Sequence, residues 1–250
     1  MSTKPYLLLD AGGTLLFIDQ VYLSQTAQAL GFQVDAARFY EEHFRIMHWL
    51  DAYIRDHRQF PPRVNKPYPQ ILFEAVGLPE EAAAQAGQVA ESAHKKKNLW
   101  TFTFPWVVET LDRLSAAGYR MSIISNSDGR MEQQLLDLKL RRYFERVYDS
   151  KLVGSQKPEP HIFHLALAEL GLRPEEAVYV GDLFYIDIWG ANRAGVPAMH
   201  LDPLGLYVGW PGEHIQDVRQ LPGWLQGYVQ ARRRYDVLPL RDFAMLPENE

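Results

Sequence analysis

Three short, mostly apolar runs constrain this chain more than anything else in it. They are Tyr6–Leu9, Tyr119–Ile124 and Ala177–Val180, and each stops abruptly at polar or turn residues. The first ends at Asp10 before Gly12 and Gly13, the second at Ser125-Asn126-Ser127-Asp128-Gly129, the third at Gly181-Asp182. Runs of this length bounded by turn residues read as buried strands. Between them lie amphipathic helical patterns. Trp106–Ala117 is closed by Gly118, Pro160–Leu170 is opened by prolines and closed by Gly171, and Tyr185–Ala194 is closed by Gly195. Met131–Leu140 is a further helix, and Ala198–Leu201 a last short strand. Glycine just past a helix and proline at its start are ordinary boundary signals. Buried strands alternating with helices predict right-handed βαβ units, an α/β fold with a parallel sheet covered on both faces.

Residues 18–98 break that rhythm. No buried strand is evident there. Asp35 is placed to cap a long helix, Ala36–Arg58, whose Phe39, Phe44, Ile46, Met47, Trp49, Leu50, Tyr53 and Ile54 cover more than one face. After a proline-bearing loop, Gln59–Tyr68, helices are predicted over Gln70–Val76 and Glu80–Lys97. The expected organisation is a core of residues 1–17 and 99–228, a helical insertion of 18–98, and a tail of 229–250. In the tail Arg232–Arg234 read as a solvated face, and Leu238, Leu240, Phe243 and Leu246 are candidates to dock it.

At 250 residues the chain is long enough for one large domain with an insertion. A net charge of −5 argues against a nucleic-acid partner, which needs a basic face. With no cysteine there is no disulfide, thiolate nucleophile or zinc–thiolate site. The apolar run near the start is too short for a signal peptide, and no stretch reaches the ~20 apolar residues of a membrane span. The expectation is a cytoplasmic protein with neither a nucleic-acid nor a membrane partner. Oligomeric state is left open.

Ligands of open α/β sheets bind at the carboxyl ends of the strands. The residues there are Asp10, Ser125 and Asp182, with Asp187 five positions on and Lys157 before a helix taken to have Pro158 at its start. Each has a plain reading by itself. Asp10 is a turn residue, Ser125-x-x-Asp128 a capping box, Lys157 a solvated lysine, Asp187 a helix-surface acid. Together they form three carboxylates, a hydroxyl and an ammonium, a set suited to phosphoryl transfer. A carboxylate can attack phosphorus, and cations neutralise the phosphoryl oxygens. Mg²⁺ takes one or two carboxylates together with waters and the phosphate, here Asp10 and Asp182 with Asp187 behind them. Backbone amides around Gly12, Gly13 and Asn126 can cradle the phosphoryl oxygens.

In these residues the chain resembles the haloacid dehalogenase superfamily. DAGGT at Asp10–Thr14 matches the family's D-x-D-x-T except at its third position. IISN matches the second motif at Ser125, SQKPEP the third at Lys157, and GDLFYID the fourth at Gly181–Asp187. The resemblance implies a Rossmann-like core with a helical C1-type cap, which residues 18–98 would form. It implies Asp10 as nucleophile, and Ser125 and Lys157 as phosphoryl ligands. It implies Mg²⁺ held by Asp10, Asp182 and the carbonyl of Gly12, with Asp187 assisting. The expected substrate is a small phosphorylated metabolite, and the long aromatic cap helix is expected to contact it.

Gly12 departs from the family's phosphatases, which carry an aspartate there as general acid and base. Such a group is worth ~10²–10⁴-fold in rate, and its loss weighs most on poor leaving groups. The cap histidines His43, His48 and His57 are candidates to replace it. Three further readings follow: a dehalogenase, a phosphonatase using a cap lysine (Lys66, or Lys95–Lys97 at a helix end), and a non-catalytic phosphate-binding protein. His161 and His164, spaced for a metal, read as an ordinary surface pair.

Overall fold

The structure, a computed structural model, describes residues 4–62 and 65–231. β1 (Tyr6–Leu9) is followed by helices α1 (Gln20–Ala29), α2 (Ala36–His57), α3 (Tyr68–Ala75), α4 (Glu80–Lys96) and α5 (Pro105–Ala116). Then come β2 (Met121–Ser125), α6 (Met131–Asp137), β3 (Val147–Asp149), α7 (Ser150–Val153), α8 (Pro160–Leu170) and β4 (Ala177–Gly181). The series ends with α9 (Trp189–Arg193), β5 (Ala198–Leu201), β6 (His214–Ile215) and α10 (Leu221–Ala231). Among the described residues the six strands make one sheet in the order β3-β2-β1-β4-β5-β6, every pair parallel. Leu9 lies opposite Ile123 on one side and Val180 on the other, so the apolar runs stop at one level across the sheet. The strand order reverses at β1 and β4, the place at which open α/β sheets bind ligands beyond the carboxyl ends of their strands. This is the parallel α/β core with a Rossmann-like strand order.

The chain divides into two compact units. One comprises the chain up to Leu15 together with the chain from Thr103 onward, and the other is Leu16–Phe102. The first holds the sheet. On one face of it Tyr6, Leu8, Ile124, Phe163, Tyr179 and Val196 pack into a buried cluster. The second is helical, with its own interior of Leu23, Phe39, Leu72, Phe73 and the small faces of Ala83, Ala86 and Ala90. Fully burying side chains of this size stabilises by about 1.5–3 kcal/mol each.

Several elements differ from the sequence expectation. β2 starts at Met121 rather than Tyr119, because Tyr119 donates its N–H back to Leu114 in the turn closing α5. α1 is an addition: Asp19 caps it by accepting from Tyr22 N–H, but it buries only Gln20, Leu23 and Ala27, too narrow a stripe to read. β3 and β6, at three and two residues, fall below the length of a readable pattern. Ser125 ends a strand and does not cap a helix, and Asp128 accepts instead from Arg130. Pro158 does not open a helix either. The Lys157–Pro158 bond is cis, and α8 starts at Pro160 as its first helical residue. The pattern from Tyr185 to Ala194 splits into a wide π turn, Phe184–Ile188, and the short α9. The expected tail residues Arg232–Arg234, Leu238, Leu240, Phe243 and Leu246 lie outside the described residues. No helix among those residues is long and apolar enough to cross a membrane.

Candidate active site

β2, β1 and β4 are neighbours, and Asp10, Ser125 and Asp182 stand at their carboxyl ends. Asp10 prolongs the ladder by donating its N–H to Val180 O at 2.8 Å. Lys157 enters from the loop between α7 and α8, and Asp187 from the π turn after β4. All five side chains are buried. Lys157 Nζ donates to Asp10 Oδ1 at 2.5 Å, to Asp187 Oδ1 at 2.6 Å and to the Tyr179 hydroxyl at 2.8 Å. An ammonium has three donors, so all three end on this site. Asp187 also accepts from Leu183 N–H through its second oxygen at 3.0 Å.

Two glycines make room for two of the acids. Gly13 has φ +77°, and a Cβ there would overlap the Asp182 carboxylate. A Cβ on Gly181 would lie 2.5 Å from Asp187 Cγ. Glycine is what permits such close approach of backbone to a charged group.

The loop carrying Ser125 and Asn126 is fixed from below. Asp149, buried at the end of β3, accepts from the N–H groups of Gly129, Met131 and Lys151. Ser150 Oγ bonds both the N–H and the carbonyl of Ser127. Asn126 in turn clamps the Lys157 backbone: its Oδ1 accepts from Lys157 N–H at 2.8 Å and its Nδ2 donates to Lys157 O at 2.9 Å. Asn126, expected to serve through its backbone, thus uses its side chain to hold the lysine loop. His200 supports Asp182 from behind, donating from Nε2 to the Asp182 carbonyl at 3.0 Å. Tyr179 and His200 carry no sequence signal of their own, since each lies inside a strand, and Asp149 closes a strand of only three residues.

The electrostatics are those of a site short of positive charge. Burial, assisted by the Asp187 charge, pushes the Asp10 carboxyl up to about 6 against the opposing pull of Lys157. Burial and the charges of Asp10 and Asp187 raise Asp182 well above the carboxylate range. Burial alone would lower the Lys157 ammonium, but Asp10 and Asp187 outweigh it and raise it. Oxygens of Asp10, Asp182 and Asp187 lie within 4.8 Å of one another, a group that could hold a metal ion. An oxygen-only set of three carboxylates against one ammonium suits a hard divalent cation. Lys157 donates to one oxygen each of Asp10 and Asp187, and the second oxygen of Asp187 receives Leu183 N–H.

The other candidates sit on the helical unit, apart from His161 and His164 on α8. His43 is buried in the helical unit between the rings of Phe44, Tyr68 and Trp100, its Nδ1 2.5 Å from the Tyr68 hydroxyl. Burial holds its pKa down to about 4. His57 is exposed and stacks on Tyr53 at 4.0 Å, and His48 is half-buried. Lys66 is exposed and paired with Glu74 and Glu80, and Lys95–Lys97 are exposed at the end of α4. His161 and His164 both face solvent.

A parallel sheet with acids gathered at its strand reversal defines an α/β enzyme scaffold of the Rossmann-like kind. The chain belongs to the haloacid dehalogenase-like hydrolase family, whose model matches residues 49–200. Among curated relatives, a glyceraldehyde 3-phosphate phosphatase of Methanopyrus kandleri is 33% identical over 132 residues, 52% of this chain and 56% of that protein. Phosphoglycolate phosphatase 1 of Pseudomonas aeruginosa is 34% identical over 125 residues, 50% of this chain and 46% of that protein. The chain spans about half the length of the curated relatives it matches. A solved 2-haloacid dehalogenase from Pseudomonas syringae superposes with a TM-score of 0.53 at 24% identity, covering 92% of this chain and 99% of that one. That likeness is one of fold.

Proposed function

We propose that this chain is a Mg²⁺-dependent phosphohydrolase of the cytoplasm, acting on a small phosphorylated metabolite through an aspartyl-phosphate on Asp10. The observation that carries the reading is the buried Lys157 ammonium, 2.5 Å from Asp10 Oδ1, beside two further carboxylates. Phosphatase names among the relatives support it. An Asp10 oxygen attacks phosphorus in line, and the bond to the leaving oxygen breaks with its electron pair going to that oxygen. Water then attacks the same phosphorus, the bond from the Asp10 oxygen to phosphorus breaks with its electron pair returning to the carboxylate, and the water's proton leaves with the inorganic phosphate. Lys157, Ser125 and the amides around Gly12, Gly13 and Asn126 bind the phosphoryl oxygens. Asp10, Asp182 and the Gly12 carbonyl would hold the cation, with Asp187 assisting. Bound there, Mg²⁺ supplies charge neutralisation to the phosphoryl group.

Gly12 offers no carboxyl to protonate the leaving oxygen. Substrates whose leaving oxygen needs no proton, acyl and aryl phosphates, fit this site better than sugar phosphates. The test is phosphate release from acetyl phosphate, p-nitrophenyl phosphate and a sugar phosphate, with and without Mg²⁺. Turnover is expected to require Mg²⁺, to fall from acyl to sugar phosphate, and to drop at least ~10³-fold in Asp10→Asn. Undiminished turnover in Asp10→Asn, or none on any substrate with the unaltered protein, overturns the reading.

A further inference from the structure

We propose that the Tyr179 hydroxyl is a positioning group for Lys157, a role that rests on the phosphohydrolase reading above. Tyr179 lies in the middle of β4, opposite Leu8 in the sheet, and is fully buried. Its ring packs in the apolar cluster, edge-on to Phe163 at 5.2 Å. A phenylalanine would fill the same space, so packing leaves the hydroxyl unexplained. A buried hydroxyl is costly unless it is bonded.

This hydroxyl has three neighbours: Lys157 Nζ at 2.8 Å, Asp187 Oδ1 at 3.0 Å and Ile124 O at 3.1 Å. An ammonium only donates, so the hydroxyl accepts from Lys157. A carbonyl only accepts, so the hydroxyl's single proton turns to Ile124 or to Asp187 and its lone pair stays toward the lysine. Of the three groups that receive the Lys157 N–H bonds, two are charged carboxylates on a loop and a turn. The phenol is the one carried by a central strand. It also reaches past β1 to the carbonyl of the residue preceding Ser125. One atom thereby ties together the end of β2, the lysine loop and the Asp187 turn. Tyr179 sets where the ammonium stands relative to Asp10; it does not touch the reacting phosphoryl group.

The experiment compares the unaltered protein with Tyr179→Phe, Lys157→Met, the double variant, and Phe163→Leu as a packing control that keeps the hydroxyl. Two readouts are taken: kcat and KM on acetyl phosphate with Mg²⁺, and the rate of reductive methylation at Lys157 followed by peptide mass spectrometry. Tyr179→Phe is expected to lower kcat roughly 10- to 100-fold, the scale of a small misplacement of a charged group, with KM within about twofold. Methylation of Lys157 should rise at least about threefold, from loss of one of its three anchoring bonds, while the exposed lysines keep their rates. The double variant should be no slower than Lys157→Met, because coupled groups do not lose activity additively. Phe163→Leu should leave both readouts near those of the unaltered protein. Unchanged kcat and unchanged Lys157 methylation in Tyr179→Phe overturn the proposal, as do additive losses in the double variant or equal effects from Phe163→Leu. If the unaltered protein hydrolyses none of the phosphates, the phosphohydrolase reading has failed, and the methylation rates alone decide whether the hydroxyl holds the ammonium.

Discussion

The interior of the helical unit and the carboxyl edge of the sheet handle burial in opposite ways. Between α1, α2, α3 and α4 the helical unit closes hydrocarbon on hydrocarbon, with Phe73 edge-on to Phe39 at 5.4 Å and three alanines from α4 in the same cluster. Its buried base, His43, is held neutral, its pKa lowered by burial to about 4. At the sheet edge, three carboxylates and an ammonium are buried together, and burial raises Asp10 and Asp182. Hydrocarbon packing adds stability with every methylene. Carboxylates crowded against one another cost stability and store an affinity for positive charge. The contrast teaches where a fold keeps its strength and where it gives strength up for chemistry.

The sharpest way to break that contrast is Asp182→Asn. If the acid is there for a cation, turnover should fall by roughly 10³-fold or more, the equivalent of several kcal/mol of lost charge stabilisation. Unfolding in the absence of divalent ions should then become harder by about 0.5–2 kcal/mol, as when a strained functional group is removed. Lower stability with full activity would reverse the roles assigned to the two regions. Phe73→Ala addresses the other region. Emptying that fully buried position should cost about 3–5 kcal/mol in denaturant unfolding, and a cost below about 1 kcal/mol would mean the helical interior is not close-packed.

The mildest effect is expected in acid. A histidine with a lowered folded-state pKa binds fewer protons folded than unfolded, so its contribution is complete above pH 6.5 and is lost as pH falls toward 4. From pH 7.5 to 5 this amounts to about 2 kcal/mol. Asp10 has the opposite sign. Raised to about 6, it binds more protons folded than unfolded, so acidification from about pH 6 toward 4 relieves it. In cation-free buffer His43→Leu should flatten the acid-induced loss of stability, and Asp10→Asn should steepen it. Unfolding midpoints at pH 7.5 and 5 check both, and parallel shifts in the two variants would contradict the difference in sign.

Much of the sheet and of its reactive edge was readable in the residues themselves, for one physical reason. A parallel strand is apolar on both faces, so the polar residue that ends it stands out, as Asp10, Ser125 and Asp182 do. Lys157 and Asp187 followed from the motifs around them. Tyr179 was hidden because a tyrosine inside an apolar run looks like any strand former. Asp149 was hidden because it closes a strand of three residues. α1 escaped because a helix that rests on Leu23 and Ala27 shows too little contrast between its faces. The histidines weighed as replacements for the acid missing at Gly12 stood out in the sequence, but their surroundings did not: His43 lies among rings and His57 at the exposed end of α2.

The glycines that seat Asp182 and Asp187 have a meaning for inheritance. Every single-base change that alters a glycine codon to another amino acid adds a Cβ, and at Gly13 or Gly181 that atom lands on a carboxylate. Neither position has a neutral neighbour in sequence space. As long as the two acids are under selection, these two residues should stand still while the surface around them drifts. A library of natural variants in which both glycines had wandered would mark a lineage that no longer uses the site.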